Sequence, residues 1–119
     1  MKVVISAQGP EMDSLVDPRF GRAAWFLCVD TETGSREAAR NEQNLNAVQG
    51  AGIQSAQNAA NLGAEAVLTG HCGPKAFRVL KAAGIKVYVG VEGTVAEALE
   101  KLRAGKLQEA DGADVEGHW

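Results

Sequence analysis

Two kinds of link separate the apolar runs of this sequence, and they constrain its topology more than any single motif does. Lys2 to Ala7, "KVVISA", is a β-branched apolar run and reads as a strand. Ala24 to Asp30, "AWFLCVD", reads as a second. The turn "DTETG" leads to a polar third strand over Ser35 to Glu42. The links among these three hold loop and turn residues only, so consecutive strands become antiparallel neighbours. The later links are helical. Gly52 to Leu62 carries Ile53, Ala56, Ala60 and Leu62 as an apolar stripe, and Gly63 stops it. Ala64 to Thr69 reads as the fourth strand. A helix follows from Pro74, at the position where helices accept proline, to Gly84. Ile85 to Val89 is the fifth strand. Thr94 with Glu97 forms a capping box that opens a last helix ending at Gly105.

This order predicts an α/β fold with a mixed five-stranded sheet in the order 3-2-1-4-5. Strand 2 is antiparallel, the helical crossovers are right-handed, and helices lie on the sheet's faces. The chain leaves strand 1 toward one side and strand 4 toward the other. Ligands in open α/β sheets bind beyond the strand ends at such a switch point. Three loops should meet there: Gln8 to Gly21, Gly70 to Gly73 and Asn44 to Gly50.

One domain accommodates all of this in 119 residues. It is read as residues 1–106, with 107–119 as an acidic, flexible C-terminal tail. The last twelve residues hold four carboxylates and no Lys or Arg, whereas the rest has 12 basic and 11 acidic groups. A net charge of −3 does not suggest nucleic acid. No apolar run approaches the roughly 20 residues of a membrane span, and no leader segment precedes the first strand. The two cysteines, Cys28 and Cys72, match no zinc or redox spacing, which fits a reduced, cytoplasmic setting.

The loop after strand 4, "TGHCGPKAF", brings His71 and Cys72 to the switch point between Gly70 and Gly73. A helix beginning at Pro74 offers unpaired N–H groups and the positive end of its dipole, which suit an anion. Lys75 and Arg78 add charge, and Arg19 and Arg22 of "DPRFGRA" approach from the first loop. A thiol at a helix N-terminus is expected to have a lowered pKa, and soft thiolate suits iron–sulfur, copper or thiomolybdate chemistry. Plainer readings stand beside these. His71 can hydrogen-bond a turn carbonyl, Cys72 can fill a turn, and Arg19 and Arg22 can be solvated charges. Cys28, Phe20 and Trp25 read as core. His118 and Trp119 end the tail and look incidental.

"VDPRFGRAAWF" (Val16 to Phe26), followed by "GAGIQSAQNAANLGAEAVLTGHCGPKAFRVLKAAGIKVY" (Gly50 to Tyr88), resembles the dinitrogenase iron-molybdenum cofactor biosynthesis family. The resemblance covers nearly the whole chain. It implies a ribonuclease H-like fold and the binding or transfer of a molybdenum-containing metal–sulfur cluster of Fe-Mo-S or Mo-Cu-S type. The stand-alone, single-domain form also resembles one member that holds a Mo-Cu-S cluster without a covalent tie. Arg19, Phe20, Gly21, Arg22, Gly70, Gly73 and Lys75 would then line the binding site, and His71 and Cys72 would meet the metal. Some carriers of the nitrogenase cofactor have histidine close before Phe-Gly; here that place is Arg19, which favours electrostatic capture of an anionic cluster. Partners would be the inorganic cluster and its assembly or acceptor proteins, with no nucleic acid or membrane. The chain would be a monomer or weak dimer.

A non-catalytic carrier is the reading these residues favour. A nuclease on this fold would need carboxylates around paired metal ions, and strand 1 contains no acid. Thiol catalysis at Cys72 would need a base in reach, and sequence neighbours such as His71 point apart. A partner-binding regulatory or cluster-assembly module, with no cluster of its own, is the alternative; it would use the acidic tail and the exposed third strand.

Overall fold

The computed structural model describes residues 1–42 and 50–114. Its strands are β1 (Lys2–Ala7), β2 (Trp25–Asp30), β3 (Arg36–Arg40), β4 (Ala66–Leu68) and β5 (Lys86–Tyr88). Its helices are α1 (Ala51–Asn61), α2 (Pro74–Ala82) and α3 (Val95–Arg103), with a short 3-10 turn over Phe20–Arg22. The sheet order is β3-β2-β1-β4-β5. β2 runs antiparallel to both β1 and β3, while β4 is parallel to β1 and β5. The expected order and directions are therefore present.

β1 is central, and residues 3–7 are all buried. That is why it reads as an unbroken apolar run rather than an alternating one. Val4 faces Phe26, Val67, Val87 and helices α1 and α2. Val3, Ile5 and Ala7 face Leu27, Leu68 and α3. Fully burying each Val, Leu, Ile or Phe contributes about 1.5–3 kcal/mol, so these two half-cores dominate the stability. The capping box is formed: Thr94 Oγ1 accepts from the Glu97 N–H at 3.1 Å and Glu97 Oε1 from the Thr94 N–H at 2.9 Å.

The two sheet edges differ. β3 is exposed along its length, apart from half-buried Ala39, and charged at Arg36, Glu37 and Arg40. Such charges discourage edge-to-edge pairing. The outer edge of β5 is covered. The Ala110 N–H donates to the Val87 carbonyl at 2.7 Å, and Tyr88 bridges to Glu109 in antiparallel sense. Within the acidic end that the sequence suggests from residue 107, Glu109 and Ala110 pair with β5. Both cysteines are free thiols. No helix among the described residues is long and apolar enough to cross a membrane. The expected loop Asn44 to Gly50 falls outside the described residues except for Gly50, as do His118 and Trp119.

Candidate functional site at the switch point

The loops after β1 and β4 are joined where the strands diverge. Ser6 and Thr69, just past the paired part of β4, bring their hydroxyls within 2.7 Å. Both are buried, so each needs such a partner. Ser6 Oγ also donates to the Asp17 carbonyl at 2.9 Å, and the Asp17 N–H returns to the Ser6 carbonyl at 2.9 Å. Asp17 Oδ1 then accepts the Arg19 N–H at 2.9 Å. This chain of bonds fixes the backbone that presents Arg19.

The two loops then pair directly. Arg19 and His71 form a parallel bridge, and the Phe20 N–H donates to the His71 carbonyl at 3.2 Å. Only glycine permits so close an approach. A Cβ on Gly70 would stand 2.6 Å from the Cα of Pro18. Gly73, at φ −78°, caps α2 without a side-chain bond.

The first loop is also held from below. Phe20 is wholly buried and stacks on Phe26 with ring centroids 5.3 Å apart. It faces the core, so its part is to anchor the loop. Gly21 is buried too, and its carbonyl accepts from Ser55 Oγ at 3.2 Å. Asn41 Nδ2 donates to the Ala23 carbonyl at 2.9 Å and to Ser55 Oγ at 3.0 Å. Asn58 Nδ2 completes the network on Asn41 Oδ1 at 2.9 Å. The carbonyls on both sides of Arg22 are thus fixed, while Arg22 itself is exposed. Arg19, Lys75 and Arg78 are exposed as well.

Of the two soft ligands, only His71 is accessible. Its side chain is 41% exposed, and Nδ1 lies 2.8 Å from Asp114 Oδ2. Cys72 is wholly buried among Phe20, Ala76 and Leu80, with Sγ 3.7 Å from the Gly73 carbonyl. The expected lowering of its pKa is reversed. Burial, and then the negative charge of Asp114, push the thiol up to about 12. As placed, its thiol is buried and protonated. No cluster of three or more His, Cys, Asp and Glu among the described residues forms a metal cage.

The structure brings Arg19, Gly70, His71, Cys72 and Gly73 together, with Arg22 and Lys75 on the adjoining turns. The sequence reading missed Ser6, Asp17, Asn41, Ser55 and Asp114. Only Asp114 had a signal, and it pointed elsewhere, to a solvated acidic tail. A cavity of about 410 Å³ lies away from this corner, between Pro10–Asp13 and β3. It is open and lined by Glu11, Asp13, Arg36 and Glu37, without convergent chemistry.

Residues 1–105 match the family model described as dinitrogenase iron-molybdenum cofactor. An uncharacterized protein of Methanocaldococcus jannaschii is 33% identical over 102 residues, covering 83% of this chain and 86% of the relative. The apo form of the orange protein from Desulfovibrio gigas superposes with a TM-score of 0.91 at 44% identity, covering 96% of each chain. A putative NifB protein from Thermotoga, solved by NMR, gives 0.82 at 35% identity and 98% of each chain. The chain belongs to the dinitrogenase iron-molybdenum cofactor family.

Proposed function

We propose that this chain is a non-catalytic carrier for an anionic molybdenum-containing metal–sulfur cluster, bound at the switch-point corner. The observation that carries the reading is the paired corner itself. Arg19 and His71 are locked side by side on backbone from two different loops, beneath a family resemblance that spans the domain. Arg19, Arg22 and Lys75 balance the cluster's charge, and the N-terminal turn of α2 adds its dipole. His71 supplies an accessible imidazole. Gly70, Gly73, Phe20 and Gly21 shape and anchor the loops. Cys72 supports the corner from inside; coordination by its sulfur would require the loop to open.

Arg19 in place of a histidine favours the Mo-Cu-S kind of cluster that the family resemblance implies over the nitrogenase cofactor itself. The sheet order agrees with the ribonuclease H-like topology that the family resemblance implies. The test is an anaerobic visible spectrum with metal analysis, taken on the isolated protein and again after adding tetrathiomolybdate with copper. The reading expects a coloured one-to-one complex. A protein that stays colourless and takes up no molybdenum would refute that ligand.

A further inference from the structure

The C-terminal segment places a carboxylate where an incoming anion would bind. Residues 107–114 cover the β5 edge through the Ala110–Val87 bond of 2.7 Å and carry Asp114 to the loop after β4. There Asp114 Oδ1 accepts the Cys72 N–H at 2.8 Å, and Oδ2 meets His71 Nδ1 at 2.8 Å. The Asp114 N–H returns a bond of 3.2 Å to the Cys72 carbonyl. A carboxylate only accepts hydrogen bonds, so Nδ1 is the donor of that pair. One backbone N–H and one ring N–H converging on two oxygens is the hospitality an oxo- or sulfido-anion needs.

We infer that Asp114 is a tethered competitor that determines which anions the corner accepts. This rests on the carrier reading given above. Tethering gives the carboxylate an effective concentration of about millimolar or more, enough to hold off weak, singly charged anions. A multiply charged cluster that also engages Arg19, Arg22 and Lys75 displaces it. Coordination at His71 Nδ1 likewise requires Asp114 to leave. Its departure removes a negative charge from the corner and frees the strap. The strap is suited to release: Glu109, Asp111, Gly112 and Ala113 are exposed. Its ion pair, Lys81 with Glu109 at 3.5 Å, is exposed and weakly stabilising. The opposite role, a carboxylate that orients His71 for ligation, predicts that losing Asp114 weakens binding.

The two are separated by titrating wild type, Asp114→Ala and Asp114→Asn in parallel with tetrathiomolybdate plus copper. Hydrogen exchange on wild type is followed with and without the probe. The strap reading expects both variants to bind roughly 10-fold tighter. It also expects the Ala110 and Asp114 amides, which hold the strap, to lose protection when wild type is loaded. Unchanged or weaker binding by the variants, or amide protection that rises on loading, would overturn the competitor while leaving the carrier reading standing. If no form binds the probe, the carrier reading falls and takes the competitor with it. The exchange measurement needs no variant, so a variant that fails to fold does not leave the question open.

Discussion

Gly70 lies so close beneath Pro18 that a Cβ built on it would stand 2.6 Å from the proline Cα and 2.8 Å from its carbonyl oxygen. Backbone on both sides leaves no flexible side chain to yield. Gly70→Ala must therefore part the loops that pair Arg19 with His71. Overpacking of this kind costs about 1–3 kcal/mol. The denaturant midpoint should fall accordingly, and the Arg19, Phe20 and His71 amide resonances should shift more than those of β1.

Phe20 and Arg19 are sequence neighbours with separate duties, and substitution should divide them. Phe20→Ala opens a cavity beside Phe26 and should cost about 3–5 kcal/mol. Arg19→Ala removes an exposed side chain and should change stability by no more than about 0.5 kcal/mol, yet weaken anion uptake. Chemical denaturation of the two variants, beside uptake measured on Arg19→Ala, checks the division.

Cys72 should be unreactive in the folded protein. Its thiol is held neutral far above the ordinary value of 9.0, chiefly by burial. Iodoacetamide at pH 8 should label it slowly until denaturant is added, because thiolate is the nucleophile. A raised folded-state value stabilises the fold fully below the unfolded value. Between 9.0 and about 12 that contribution declines as the unfolded chain ionises first. Rapid labelling of native protein would show that the loop opens readily.

The capping box should make α3 sensitive to acid. Two hydrogen bonds from Thr94 hold the Glu97 carboxyl below its ordinary 4.5. A lowered folded-state value gives stability that is present above the unfolded value and lost as pH falls through the folded one. Wild type should therefore melt above Glu97→Gln at pH 7, and the gap should close under acid conditions. Thermal scans of both proteins from pH 7 down to pH 3 read this out.

The sheet was legible because its signals are dense and local. β1 shows the same bounds in sequence and structure, since burial on both faces demands an unbroken apolar run. Thr94 and Glu97 announce α3 through paired spacing. The corner was half legible. Its loops follow from topology, but the direction of the Cys72 side chain is not encoded by spacing, so proximity to a helix end suggests a lowered pKa that burial reverses. Asn41 and Ser55 are single polar residues whose meeting depends on how α1 packs against the first loop. Asp114 reaches His71 from 43 positions away. Nothing local to an acidic, glycine-containing stretch distinguishes a strap from a solvated end.

In the carrier proposed here, charge rather than thiolate ligation holds the cargo at this corner. The most direct measurement is an anaerobic titration with tetrathiomolybdate plus copper at low and high salt, on wild type, Arg19→Ala and Cys72→Ala. Affinity should fall with salt and with loss of Arg19, while folded Cys72→Ala should still take up the cluster. Uptake that ignores salt and Arg19 but vanishes with Cys72 would contradict this.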